Sequence, residues 1–292
     1  MASKQKVLAV SALLFGATTW GIVWYPYRLL ELSGVSGALS SFVTYLIPLL
    51  AGLVFFRRQL SNLRDYRWML VGIGLTAGWT NLAYVLAILH GEVMRVLLLF
   101  YLSPLWTVVF ARLLLAERPN RYGYLVIGMA FAGAVTMLWQ PRLGAPLPRN
   151  NAEWLALSAG VTFAATNVLS RRGMEIPVDI KSLGVWAGVS FLSLLAMLVH
   201  PAEFAVVPDL APIDWEILLA LGAIMFLVTV TVQYGLTHTP ANQSIVIFLF
   251  ELVVAAISSY FLANEALGAR EWLGGAMIIA ATLFSGKLEN DA

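Results

Sequence analysis

The chain is laid out as long, nearly charge-free apolar blocks separated by short polar stretches. Ten blocks can be drawn, at roughly 7–27, 36–56, 67–89, 93–115, 121–139, 152–170, 182–200, 215–236, 242–263 and 269–286. Each approaches the ~20 residues that a helix needs to cross about 30 Å of hydrocarbon. Polar and apolar residues do not alternate inside them as they would in the strands of an outer-membrane barrel. Backbone in lipid must satisfy its own hydrogen bonds, so the blocks predict helices. The longest connections, 140–151 and 201–214, are proline-rich and too small to fold alone. The pattern predicts an all-α membrane protein with ten transmembrane helices.

Composition agrees with this pattern. The chain is 60% hydrophobic and 12% charged, with a mean hydropathy of +0.81, whereas soluble domains carry about a quarter charged residues. The absence of cysteine excludes disulfides, thiolate metal sites and cysteine catalysis. Lys4 and Lys6 give the first block the basic flank of a signal peptide. It runs longer than such a segment and lacks a small-x-small cleavage site, so a retained helix is expected. A net charge of +2 says little, but the placement of the charges says more. Ten crossings bring both termini to one side, which receives thirteen of the eighteen basic residues; Arg28, Arg95, Arg142, Arg149 and Arg270 fall on the other. The excess predicts cytoplasmic termini in a cell inner membrane.

The pattern also repeats. Ser103-Pro104 is followed fourteen residues on by Glu117, and Glu251-Leu252, 148 residues further along, is followed fourteen residues on by Glu265. At the same offset Tyr124-Leu125 falls on Trp272-Leu273 and Met129 on Met277. In the opening blocks an offset of 144 places Gly16 on Gly160, Arg28 on Arg172 and Glu31 on Glu175. The expected organisation is a five-helix repeat over 1–140, a connecting loop over 141–151 and a second five-helix repeat over 152–292. Five is odd, so the second copy enters the membrane from the opposite face and the repeats are inverted.

The runs LLLFYLSPLWTVVFARLLLAE (Leu97 to Glu117) and FLFELVVAAISSYFLANE (Phe248 to Glu265), with the Gly16 to Gly21 cluster around Trp20, resemble the drug/metabolite transporter superfamily built of two EamA-type repeats. The resemblance covers nearly the whole chain. It implies a secondary transporter working by alternating access around a midplane cavity, with no cofactor, no enzymatic activity and a functional monomer in the lipid bilayer. Through Tyr101-Leu102-Ser103-Pro104 the chain is also similar to bacterial amino-acid exporters, including the YddG-type aromatic amino-acid exporters. That implies export of small metabolites, above all aromatic and other large neutral amino acids. Three departures stand out: Ser103 replaces an aromatic, Asn81 replaces a carboxylate of some relatives, and Leu252 replaces a proline that kinks the helix in many members.

A charge in mid-span costs about 2.5–3.5 kcal/mol on insertion scales and is read first as functional. Glu251 is the outstanding case. It could bind a substrate ammonium or carry a coupling proton; the competing reading is a structural carboxyl bonded to a neighbouring helix. Glu117 and Glu265, at equivalent block ends, are expected to cap helices or pair with basic groups. Glu92 and Arg95 are spaced to pair on one helix face, and Arg28 can snorkel; these read first as surface residues. Polar side chains within the blocks include Thr76, Thr80, Asn81, Tyr84, Thr162, Thr166, Asn167, Gln233, Tyr234, Gln243 and Ser244. Such groups either line a water-filled cavity, an expectation attached to Asn81, Asn167 and Gln233, or join helices to one another. Among the rings, Trp68, Trp154 and Trp215 suit an interfacial belt. Trp20, Trp24, Trp79, Tyr101 and Trp106 suit either a mainly apolar pocket or lipid.

The expected substrate-binding set is Trp20, Trp24, Trp79, Asn81, Tyr84, Tyr101, Ser103, Asn167, Gln233, Tyr234, Gln243, Phe248 and Glu251, with Glu251 as the proton carrier if transport is coupled. Gly74-x-x-x-Gly78 and Gly184-x-x-x-Gly188 predict close helix contact, and Pro26, Pro48, Pro104 and Pro240 predict bends or ends.

Other functions fit less well. A drug or nucleotide-sugar carrier remains a second transport reading, although phosphates would need deep cations and the spans offer only Arg95 and Arg112 near their ends. An intramembrane hydrolase would have to use Gly34-Val35-Ser36-Gly37, which lies in a short loop, while His90, His200 and His238 lie in or beside connections. The sequence has no Walker A loop, zincin motif or metal cluster, and no nucleic-acid partner is expected. A membrane assembly or sensor protein would explain the hydrophobicity but not the doubled motif.

Overall fold

The computed structural model describes residues 2–139, 147–201, 203–204, 207, 210–264 and 267–287. Glu265, Arg142 and most of the 141–151 connection lie outside the described residues. Within them the regular structure is helical: α1 (Ala2–Leu32), α2 (Gly37–Phe55), α3 (Arg67–His90), α4 (Val93–Phe100), α5 (Ser103–Leu114), α6 (Arg121–Leu138), α7 (Asn151–Arg172), α8 (Val178–Val199), α9 (Pro212–His238), α10 (Ala241–Phe248), α11 (Phe250–Ala263) and α12 (Ala269–Phe284). Counting α4–α5 and α10–α11 as one crossing each, eight crossings are long and apolar enough to span a bilayer on their own. Two others, α7 and α12, complete the ten. Helix α7 carries Glu153, Thr162, Thr166 and Asn167, yet it is packed among α3, α4, α5, α9 and α10, where polar groups find helices rather than lipid.

The helix bounds repeat with the sequence. Helix α4 falls on α10 end for end at an offset of 148, α6 and α12 start at equivalent residues, and α3 and α9 end at the equivalent His90 and His238. Each of these histidines turns Nδ1 back onto its own helix, to the carbonyls of Leu86 and Tyr234 at 2.9 Å. Packing follows the same two-fold relation. Helix α3 packs on α7 and α8, as α9 packs on α1 and α2; α7 packs on α4–α5, as α1 packs on α10–α11; α2 meets α8 and α6 meets α12 across the axis. The expected glycine crossing lies between α3 and α8. A Cβ at Gly74 would sit 2.7 Å from the Gly184 carbonyl oxygen, and one at Gly78 or Gly188 would strike the facing backbone.

The fourth and ninth crossings are both interrupted at mid-membrane. Pro104, in the first turn of α5, has no N–H to give the Phe100 carbonyl, and the break covers Tyr101 and Leu102. In the second copy, Leu252 restores that N–H and the break shrinks to Leu249 without closing. Pro26 and Pro48 lie inside continuous α1 and α2, so those two do not end helices; Pro240 caps α10.

Ten crossings put both chain ends at one face, the terminal face. There the two-fold relation fails: α5 packs against α10, and α7 against α9 and α10. The related pairs at the opposite face (α11 with α4, and α1 with α3 and α4) are not comparably packed. Among the described residues the helices pack more closely at the terminal face than at the other.

Candidate functional site

The two interruptions face each other across the two-fold axis. The first supplies Tyr101; the second places Glu251 in the first turn of α11. The Tyr101 hydroxyl and the Glu251 carboxyl stand within electrostatic reach of each other, and Tyr84 of α3 within reach of both. From Tyr84 an aromatic cluster runs through the bundle. Phe100 lies 5.0 Å from Tyr84, 5.2 Å from Tyr101 and 5.4 Å from Phe163 of α7, measured between ring centres. Phe163 lies 5.7 Å from Phe248, and Trp20 of α1 lies 5.5 Å from Phe248 and 6.5 Å from Phe163. Phe100 and Phe248 are repeat equivalents, each the last residue before its break, and both rest on Phe163. Tyr101, Phe100 and Phe248 are buried, while Trp20, Tyr84, Phe163 and Glu251 keep part of their surface open. Six rings and one carboxyl thus meet in mid-membrane: an apolar surface with a single acidic acceptor.

Glycines let helices approach this centre. Gly160 of α7 lies against the Phe100 carbonyl, where a Cβ would meet only backbone; Gly21 of α1 lies against the Glu251 carbonyl and Val254. Both positions join the first helix of one repeat to the broken helix of the other.

Of the thirteen expected site residues, the structure brings Trp20, Tyr84, Tyr101, Phe248 and Glu251 together. Trp24 lies toward the opposite face and donates from Nε1 to Ser258 Oγ at 2.9 Å. Trp79, 38% exposed, donates to Ser158 on the α3–α7 seam, away from the rings. Along that seam Thr166 donates to Thr76 at 2.8 Å, and Thr80 and Thr162 share a hydrogen bond at 2.9 Å. These threonines join helices, the competing role set out for them. Tyr234 stacks on His238 at 4.3 Å, and Gln243 reaches Ser285 at 3.4 Å; both belong to the terminal face. Ser103 is buried with its hydroxyl unpaired, and Asn81, Asn167 and Gln233 each hold one buried side-chain atom with no protein partner.

Phe100 and Phe163 were not among the expected residues. The repeat register signals the first, as the equivalent of Phe248; Phe163 sits in a polar helix with no local signal.

Two ion pairs frame the centre. At the opposite face Arg95, 5% exposed, grips both oxygens of Glu153 at 2.7 Å and donates to the Leu147 carbonyl at 2.9 Å. Glu92 also lies within electrostatic reach of Arg95, but the bidentate partner is Glu153, 58 residues away. At the terminal face Glu117 pairs with Arg171 at 3.1 Å and accepts the Ala241 N–H at 2.8 Å, pairing and capping as its block-end position suggested. Ser36, the serine of the hydrolase reading, caps α2 by accepting from the Leu39 N–H and donates to Glu203 at 2.5 Å; no histidine adjoins it among the described residues.

A transporter family model matches both halves of the chain, at residues 7–139 and 150–286. The chain belongs to the EamA-like transporter family. The paired broken helices and two-fold packing are thus the form that this EamA-like chain gives to its two repeats. A solved structure described only as the crystal structure of a protein is 22% identical, with a TM-score of 0.74 over 94% of this chain and 97% of that one; it shows likeness of fold. Comparison with curated proteins gave no match. Membership identifies a multi-pass membrane transporter rather than an enzyme family.

Proposed function

We propose that this EamA-like protein is an inner-membrane secondary transporter that exports amino acids with aromatic or other large neutral side chains, by alternating access around the Glu251 centre. The observation that carries the reading is the placement of the Glu251 carboxyl within electrostatic reach of Tyr101 and Tyr84, whose rings join those of Phe100, Phe163, Phe248 and Trp20. A carboxyl in mid-span attracts an ammonium, and the ring faces match an apolar side chain and reinforce cation binding. The excess of basic residues on the terminal face supports cytoplasmic termini. Taken as two repeats divided at 141–151, one chain holds the full set of inverted helices, which supports a functional monomer.

Phosphorylated substrates such as nucleotide sugars suit the site less well. Its buried cations are committed elsewhere: Arg95 to Glu153, and Lys181 to Thr237 and Ser170.

The reading is tested by flux of labelled amino acids into proteoliposomes, with and without a pH gradient. Saturable flux of aromatic amino acids that falls to background in Glu251→Gln is the expected result. Flux that needs the gradient assigns Glu251 the coupling proton; gradient-independent flux leaves it as the ammonium site. If no amino acid moves, the substrate class is wrong, and drugs and other metabolites take its place.

A further inference from the structure

The terminal face is held shut by a set of charges that substrate binding leaves unused. Helices α9 and α10 meet there in a tight hairpin whose two ends expose opposite partial charges: carbonyls where α9 stops and N–H groups where α10 starts. Each end is met by the complementary side chain. Arg171, at the end of α7, donates from Nη1 to the Thr237 carbonyl at 2.5 Å. Glu117, beyond α5, accepts the Ala241 N–H on Oε2 at 2.8 Å. The same two side chains bond to each other through Nε and Oε1. Lys181, in the first turn of α8 and fully buried, adds a bond to Thr237 Oγ at 2.5 Å and anchors itself on the Ser170 carbonyl at 3.0 Å.

We propose that Glu117, Arg171 and Lys181 form a clasp that closes the terminal face by gripping the α9–α10 hairpin through its helix ends, and that releasing this hairpin opens the path to that face. The proposal rests on the alternating-access reading above. The bonds fall into two groups. Glu117–Arg171 and Lys181–Ser170 stay on the side of α5, α7 and α8. Among the described residues three of these bonds cross to the hairpin: Ala241 N–H to Glu117, Arg171 to the Thr237 carbonyl, and Lys181 to the Thr237 hydroxyl. Opening breaks these three and leaves the Glu117–Arg171 pair intact, so neither member of that pair is left without its counter-charge, while Lys181 keeps its bond to the Ser170 carbonyl. The opposite face has a buried ion pair of another kind, because Arg95–Glu153 joins α4 to α7 and does not reach α9, α10 or α11.

The chain has no cysteine, so a single introduced one reports accessibility. Ser244→Cys places a buried thiol in the first turn of α10, and Ser190→Cys places a control in the buried interior of α8. Maleimide labelling is followed in purified full-length protein. Glu117→Gln or Arg171→Gln is expected to speed labelling at position 244 by about ten-fold or more, the size of one lost charge-assisted hydrogen bond, with position 190 unchanged. The double swap Glu117→Arg with Arg171→Glu restores an ion pair but sets each charge against the wrong helix end, so position 244 should stay fast. Unchanged labelling in the single variants overturns the clasp. So does recovery of protection in the swap, which would make the ion pair alone sufficient. Acceleration at both cysteines likewise overturns it, as general loosening. Because labelling needs no substrate, a failed amino-acid flux assay with the expected labelling would sink the substrate reading and leave the clasp standing.

Discussion

The two interfaces that the two-fold relation makes equivalent are built from different chemistry. Helix α7 lies on the broken helix α4–α5 and is tied to it by charge at both ends, through Glu153–Arg95 at one face and Arg171–Glu117 at the other. Helix α1 lies on α10–α11 with no ion pair among the described residues. Its ties are neutral: Ser258 donates to the Gly21 carbonyl at 2.7 Å and receives the Trp24 indole N–H. Both copies keep an interrupted helix with a glycine of the facing first helix laid against it, but at non-equivalent positions, Gly160 against Phe100 and Gly21 against Glu251, and the side chains that fix the two seams differ. Pinned at both ends, α7 is expected to stay with α4–α5 as one body in any rearrangement. Helix α1 can shift on α10–α11 at the cost of a few neutral bonds. On the alternating-access reading proposed above, this asymmetry supplies one rigid partner and one yielding partner.

The largest expected effect comes from the pinned side. Arg95 and Gln243 are repeat equivalents with opposite situations: Arg95 holds Glu153 in a bidentate pair, and Gln243 makes one long bond to Ser285. Removing Arg95 strands a carboxylate that is 3% exposed. Arg95→Ala is therefore expected to lose about 3–5 kcal/mol, against about 1 kcal/mol or less for Gln243→Ala. Unfolding midpoints of the two purified variants make the measurement, and equal losses would mean that the charged and neutral members of this equivalent pair hold the fold equally.

Next in size are the glycines. At Gly160 a Cβ meets the oxygen, carbonyl carbon and Cα of Phe100, none of which can rotate away. At Gly21 two of the three nearest atoms belong to the Val254 side chain, and the third is the Glu251 oxygen, 2.8 Å off. Gly160→Ala should cost toward the upper end of the ~1–3 kcal/mol typical of overpacking and Gly21→Ala toward the lower. Flux should sort them the other way in kind: Gly21→Ala shifts the turn that carries Glu251 and weakens substrate affinity, while Gly160→Ala shifts the Phe100 ring. A Gly160→Ala protein as stable as the parent would mean that α7 is not pinned.

How much of this was legible follows from range. Block length alone yields the crossings, because the bilayer sets it, and the spacing of Gly74, Gly78, Gly184 and Gly188 yields close helix contact, though not that the two motifs meet each other. Pro104 announces the first interruption; the second, at Leu249, has no breaker and is inherited through the repeat. Five of the thirteen expected site residues converge: Tyr101, Phe248 and Glu251 at or beside the two breaks, where the repeat register fixes depth in the membrane, and Trp20 and Tyr84 from α1 and α3. Trp24, Trp79 and the seam threonines could not be told from cavity residues, because the same side chains serve as helix glue. The Arg95–Glu153 pair is invisible to spacing rules, which see Glu92 three residues away and not a carboxylate on another helix.

The smallest effect is the sharpest test of the comparison. The α1–α11 tie runs from the Trp24 indole to Ser258 Oγ and on to the Gly21 carbonyl, so Ser258→Ala removes both links while leaving a methyl in a small, buried space. Neutral hydrogen bonds between membrane helices average about 0.6 kcal/mol and reach about 1.7 at most, because the separated helices find other partners. Trp24→Phe keeps the ring and loses only the N–H. A cycle of Trp24→Phe, Ser258→Ala and the double variant should therefore return a coupling of about 0.6 kcal/mol, against several for the equivalent cycle on Arg95 and Glu153. The magnitude matters because it sets which seam yields first when the bundle rocks. If the neutral tie couples as strongly as the charged one, α1 is pinned too, and the mobile seam must be sought at α2–α8 or α6–α12 instead.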